Sequence, residues 1–181
     1  PGLSLTYAAD DAFRPYGNKP EQALRERLPG LLWTLAEMTT PDIIVIACNT
    51  ASTTALEDIR KEVKIPVVGV VPAIKPAAKL TRTGTIGVLG TPGTVRREYV
   101  ENLMADHASH CRIIRQGSVG LVALAEKKLS GETIAIPDIR AEIDDLFSKH
   151  GGKEIDTVVL ACTHFPLLKD ELQAASPHPV N

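Results

Sequence analysis

Apolar and polar positions alternate along this chain in two rhythms, and the switches between them mark strands and helices in turn. "LSLTYAA" at residues 3–9 reads as a strand, and "DDAFRPYGNKP" after it as a loop punctuated by Pro15, Gly17 and Pro20. Residues 21–38 have helical spacing, with Pro29-Gly30 expected to kink or split the helix. Residues 43–47 form a continuous apolar run, the pattern of a parallel strand covered on both faces. Beyond Cys48 the apolar Ala51, Ala55, Ile59 and Val63 recur every fourth residue, which is a helix face. Residues 67–71 give the next strand, and 72–80 a short helix opened by proline.

The pattern then restarts. A strand is predicted at residues 85–90, a helix marked by Val95, Tyr99 and Leu103, and a strand at 111–115. A helix at 119–129 stops near Gly131, and another opens at Pro137 with Ile139, Ile143, Leu146 and Phe147 inward and Gly151 at its end. The last strand spans 157–161, and a helix runs from about Pro166 to Ala175. Strands that alternate with helices predict an α/β fold with parallel sheets flanked by helices. Right-handed crossovers put the C-terminal ends of the strands on one edge of each sheet.

Two strands echo each other. "DIIVIACNTAS" ends its apolar run on Cys48 and "DTVVLACTHFP" on Cys162, with Asp42 matching Asp156, Val45 matching Val159 and Ala47 matching Ala161. The echo predicts two similar lobes, each with a thiol at a sheet edge, and a cleft between them as the active site. A free cysteine at a strand end is by default a buried, inert hydrophobe. Two of them, each followed by small polar residues (Asn49-Thr50, Thr163-His164) and by a helix N-terminus, point to reactive thiols instead.

Composition narrows the classes. At 181 residues and 44% hydrophobic, the chain can bury a core. A net charge of −2 with mixed signs offers neither a nucleic-acid surface nor a polybasic membrane patch. No apolar stretch approaches the roughly 20 residues of a membrane span, and no leader pattern is seen. Three cysteines argue against a disulfide framework, so a cytoplasmic protein is the default expectation. The chain opens on Pro1 and stops at "PHPVN", which suggests a fragment or a trimmed chain.

Three chemistries suit paired thiols: a disulfide between distant partners, a metal held by Cys48, Cys162 and His164, or proton transfer on opposite faces of one carbon. No C-x-x-C and no paired zinc-type spacing is present. Proton transfer explains the symmetry best, because inverting a stereocentre needs matched acid and base on both faces. Asn49, Thr50 and Thr163 are placed to stabilise charge developing on an α-carboxylate, and His164 to tune the second thiol.

"IVIACNTAS" and "VVLACTHFP" resemble the two signature segments of the glutamate racemases, within the aspartate/glutamate racemase superfamily. "PYG" at Pro15, Tyr16 and Gly17, "IPVVGVVPA" at 65–73 and "IGVLGTPGTV" at 86–95 are similar to further family segments, so the resemblance covers nearly the whole chain. It implies interconversion of L- and D-glutamate with no cofactor and no metal, supplying D-glutamate for peptidoglycan and so for the bacterial cell wall. Cys48 would act on the α-proton of D-glutamate and Cys162 on that of L-glutamate, with His164 supporting Cys162. Pro15, Tyr16, Gly17, Asn49, Thr50, Thr94 and Thr163 would bind substrate, and Glu126 and Thr91 are further candidates. The "CTH" form resembles the glutamate branch; the aspartate branch usually has Glu after Cys-Thr.

The resemblance divides the chain into a first lobe at 1–73 and a second at 74–181. The family's opening strand ends in an Asp-Ser-Gly segment that supports the first cysteine and contacts substrate, and this chain has none. The stretch that returns to close the first lobe is also missing, so that lobe is expected to be incomplete and the chain alone weak or inactive. Racemases of aspartate or other amino acids, and a two-lobed binding module without chemistry, stay open. The partner expected is a small molecule, with no nucleic acid and no membrane; a homodimer is one expectation for the oligomer.

Some residues are set aside. His107, His110 and Cys111 lack a recognised zinc spacing. "GTPGT" at 90–94 lacks the Lys-Ser/Thr ending of a nucleotide loop, though its backbone N–H groups could hold a carboxylate. Asp10 and Asp11 are expected to cap or solvate the loop, and Lys75 and Lys79 to lie on an exposed helix face.

Overall fold

The computed structural model describes residues 2–181. The elements run α1 (Glu21–Thr39), β1 (Ile44–Ile46), α2 (Asn49–Glu62), β2 (Val67–Gly69), α3 (Ile74–Leu80) and β3 (Thr85–Gly90). They continue with α4 (Pro92–Val95), α5 (Glu98–Ala108), β4 (Arg112–Gly117), α6 (Gly120–Leu129), α7 (Ile136–Ser148), β5 (Thr157–Ala161) and α8 (Lys169–Ala175). Short 3-10 turns lie at Asp11–Phe13, Tyr16–Asn18, Gly152–Glu154 and Phe165–Leu168.

Every strand pairs in parallel. β1 pairs with β2 in one sheet, and β4-β3-β5 form the other with β3 in the centre. β3 is buried at all its positions, as its unbroken apolar run requires. On one face of the larger sheet Leu121, Ile139, Ile143, Leu146 and Phe165 pack together, and on the other Ile74, Ala77, Ile86, Val88 and Val95 do. Around the smaller sheet the apolar stripes of α1 and α2 meet through Leu24, Leu28, Ala55 and Ile59. Each large side chain buried here contributes about 1.5–3 kcal/mol. The predicted inward faces of α2 (Ala51, Ala55, Ile59, Val63) and α7 (Ile139, Ile143, Leu146, Phe147) are buried. Gly151, just past α7, takes a left-handed φ of 86°.

Several expectations need correction. Residues 3–9 form no strand: the segment pairs with nothing, and Leu3 and Leu5 are 93% and 84% exposed. Alternation alone cannot make a strand without an edge to join. β1 is not covered on both faces, since Val45 is 61% exposed and its neighbour Val68 45%. α1 is not split at Pro29-Gly30; the proline stays inside a continuous helix, buried against the core. α3 begins at Ile74 rather than Pro72. The helix predicted around Val95, Tyr99 and Leu103 is two helices, α4 and α5, because the chain turns extended at Arg97.

Asp156 fixes the sheet edge remote from the thiols. It accepts bonds from Thr81 Oγ1 at 2.6 Å and from the N–H groups of Arg82 and Thr83 at 2.7 and 3.0 Å, and Thr157 Oγ1 adds a fourth. Burial alone would raise its pKa, but these donors outweigh it and hold the carboxyl at about 2, below the ordinary 3.8. A depressed folded-state pKa stabilises above the unfolded value, and the contribution is lost as pH falls from about 4 toward 2. Asp156→Asn should therefore destabilise by about 1–2 kcal/mol at pH 7. Urea midpoints measured at neutral and acid pH should also show less acid sensitivity in the variant; an unchanged midpoint at pH 7 would refute this role.

Candidate active site

Cys48 caps α2. Its backbone is extended (φ −150°, ψ 118°), and its sulfur accepts the Ala51 N–H at 3.5 Å. The Thr50 N–H and hydroxyl also favour the thiolate, but burial dominates and pushes the thiol up from its ordinary value. Cys162 follows β5 in the same manner, with the N–H groups of His164 and Phe165 directed at it. Burial, reinforced by the nearby Cys48, pushes this thiol up to about 11. An anionic Cys48 thus raises the cost of ionising Cys162, and the two cannot both be anionic cheaply.

Both line one cavity of about 460 Å³ at the C-terminal ends of the strands. Pro15, Tyr16 and Gly17 of the loop before α1, Asn49, Thr50 and Thr91, and Glu126, Thr163 and His164 are among the residues that line it. Thr94 is not among the lining residues. It is fully buried behind them, its hydroxyl 3.2 Å from that of Thr50 and 2.9 Å from that of Thr91. Thr91 Oγ1 also accepts the Thr94 N–H and so caps α4, and it lies 3.4 Å from the Thr50 hydroxyl. Asn49 Oδ1 is buried with no protein partner although Asn49 lines the cavity, an acceptor suited to a ligand N–H.

The second thiol has a side-chain relay. His164 Nδ1 lies 3.8 Å from Cys162 Sγ, and Nε2 lies 2.8 Å from Glu126 Oε1. Glu126 is therefore more than a solvated helix residue: it orients the imidazole, and its other oxygen accepts from Arg14 Nη1 at 3.3 Å. The loop before α1 is held by Asp10. This side chain neither caps the 3-10 turn nor lies in solvent; it accepts the Tyr16 hydroxyl at 2.8 Å and two bonds from Arg27 at 2.7 Å. Gly17 is required where the loop rests on Thr91, because a Cβ there would stand 2.6 Å from Thr91 Cγ2. Among the described residues no three His, Cys, Asp or Glu side chains are placed to hold a metal, His107, His110 and Cys111 included.

Asp10 and Arg14 were not candidates from sequence. Arg27 lies 17 positions beyond Asp10 in a different element, and Glu126 lies 112 beyond Arg14, so no local spacing signals either contact.

Residues 7–180 match the family described as Asp/Glu/hydantoin racemase. The chain is 52% identical over 174 residues to the glutamate racemase of Sphingopyxis alaskensis, covering 96% of this chain and 65% of that protein. It is 46% identical over 182 residues to that of Brucella ovis, covering 100% and 66%. Its fold is similar to the crystal structure of Escherichia coli glutamate racemase in complex with L-glutamate and the activator UDP-MurNAc-Ala: the TM-score is 0.87 at 43% identity, covering 95% of this chain and 64% of that one. The chain thus spans slightly less than two-thirds of the length of these relatives.

Proposed function

We propose a function from the premise that the chain belongs to the Asp/Glu/hydantoin racemase family: it carries the two-thiol centre of a glutamate racemase, which interconverts L- and D-glutamate by direct proton transfer. The observation that carries this reading is that Cys48 and Cys162, each at the end of a parallel strand and each met by backbone N–H groups, line the same cavity.

The reaction uses one thiol as base and the other as acid. With L-glutamate, the Cys162 thiolate takes the α-proton, and the electron pair of the C–H bond passes into the α-carboxylate as an enediolate. The Cys48 thiol then gives a proton to the opposite face, leaving D-glutamate and a Cys48 thiolate; the reverse reaction exchanges the roles. His164, held by Glu126, supports the Cys162 thiolate. Hydroxyls and N–H groups of Asn49, Thr50, Thr91 and Thr163, with the loop of Pro15, Tyr16 and Gly17, hold the carboxylates, and Asn49 Oδ1 accepts from the ammonium. Thr94 acts from behind, by fixing the Thr50 and Thr91 hydroxyls.

The reading places residues 1–73 in one lobe and 74–181 in the other, with the cavity at their junction. The product is D-glutamate for peptidoglycan precursors in the bacterial cytoplasm. The partner is a small molecule rather than nucleic acid or membrane, and no helix among the described residues is long and apolar enough to cross a bilayer. A homodimer is the oligomer to test.

Solvent deuterium entering the α-position of L- and D-glutamate, followed with chiral analysis in heavy water, tests the reading. L- and D-aspartate serve as the comparison. Exchange with inversion of glutamate supports it; exchange only with aspartate moves the substrate to the shorter acid. Tight glutamate binding with no exchange, in this chain and in one carrying the remaining third of its relatives, overturns it in favour of a binding protein.

A further inference from the structure

Arg97 is the one charged residue that is buried among the described residues, at 6% exposure. It stands at the N-cap of α5, and its side chain crosses to a second helix N-terminus, that of α2. There Nη1 donates to Thr50 O at 3.1 Å and to Thr53 Oγ1 at 3.2 Å, while Nε reaches Glu21 Oε1 at 3.1 Å. Helix N-termini carry partial positive charge, and burial strips a cation of water. A guanidinium at two such termini is placed where a fold alone would not put it. Its acidic partner Glu21 is half exposed and compensates weakly. Burial accordingly depresses the Arg97 pKa, and Arg25 adds to this, whereas Glu21 and Cys48 oppose it.

We propose that Arg97 is a positioning residue for Cys48: a cation supplied by the second half of the chain, which pins the first turn of α2 and favours the anionic form of the thiol that caps it. The inference rests on the two-thiol reading for its purpose, but its geometry does not. The turn that Arg97 grips supplies the Thr50 and Ala51 N–H groups to the sulfur. The charged and titratable groups facing Cys48 are Tyr16 from the loop before α1, Cys162 from beyond β5 and Arg97, with Glu21 and Arg25 of α1 behind Arg97. Tyr16 has its own pKa raised, first by burial and then by Asp10, so it stays neutral. Cys162 disfavours a second anion, and burial opposes ionisation throughout. Arg97 is the cation in the set that acts on the Cys48 side, and its loss leaves only backbone and hydroxyl donors there.

The test reads the thiol directly. In a Cys111→Ser, Cys162→Ser background Cys48 is the remaining thiol of three, and its alkylation by iodoacetamide is followed against pH. Arg97→Gln should raise the pH midpoint, Arg97→Lys should bring it back most of the way, and Glu21→Gln, which leaves Arg97 without its counter-charge, should lower it. If Arg97→Gln fails to fold, the Glu21→Gln shift decides. A folded Arg97→Gln protein with an unmoved midpoint overturns the proposal, as does a Glu21→Gln midpoint that stays put or rises. Because alkylation needs no turnover, absence of exchange in this chain and in one carrying the remaining third of its relatives would overturn the racemase reading and leave this result standing.

Discussion

On the proposed two-thiol reading, replacing either thiol by serine, in a chain extended by the remaining third of its relatives, is expected to cut glutamate racemisation by about 10²–10⁴-fold while leaving glutamate binding nearly intact. Serine fills almost the same space, and each position is partly or wholly enclosed, so the cavity should keep its shape. What is lost is a proton carrier, since an alcohol ionises far less readily than a thiol. The two variants should also differ from each other. With Cys48→Ser, Cys162 can still remove and return a proton on its own face, so slow deuterium wash-in without inversion should survive from L-glutamate alone. With Cys162→Ser it should survive from D-glutamate alone. Chiral separation followed by mass measurement distinguishes the four cases. Turnover within ten-fold of the parent in either variant would remove that thiol from the chemistry.

Phe165→Ala is expected to destabilise the chain by about 3–5 kcal/mol. The ring is fully buried in the cluster with Leu121, Ile139, Leu146 and Leu168, and its backbone N–H bonds back to Cys162 O at 3.1 Å. The same residue therefore fills the core beneath β5 and shapes the turn that presents Cys162 and His164. Urea unfolding gives the stability change, and a loss under about 1 kcal/mol would mean that the core collapses around the gap at little cost. Since N–H groups of that turn support the Cys162 thiolate, surviving folded protein should also show slower exchange from L-glutamate than from D-glutamate.

How much of this was readable beforehand depended on the range of the interaction. β3 and β5 were placed to the residue, because a short apolar run bounded by polar turns has only one way to be buried between two helix layers. The stripes of α2 and α7 were equally legible, since four-residue spacing already contains their burial. Residues 3–9 misled for the converse reason: Leu3, Leu5 and Tyr7 have the rhythm of a strand, and rhythm says nothing about whether an edge is there to join. At the cavity, Cys48 and Cys162 were legible through their echo, Asn49, Thr50, Thr163 and His164 as the polar residues that follow them, and Pro15, Tyr16, Gly17, Thr91, Thr94 and Glu126 through family resemblance. Arg97 was invisible, because "TVRRE" reads as surface and its partners Thr50 and Glu21 lie 47 and 76 positions away. The role of Thr94 was half read: the residue belongs with the cluster, but its hydroxyl points to its neighbours rather than into the cavity.

The three threonine hydroxyls have a consequence of their own. Thr50, Thr91 and Thr94 close a ring in which each oxygen can act as donor or acceptor toward the next. Three protons on three oxygens can circulate in either sense, and reversing the sense moves no heavy atom. Such a ring is a rotatable set of dipoles on a rigid frame. An acceptor in the cavity takes one proton out of the ring, from Thr50 or from Thr91, and the other two hydroxyls close up as a chain behind it. Mirror-image ligands, which present their oxygens from different directions, can thus draw a donor from either wall position with no heavy atom moved.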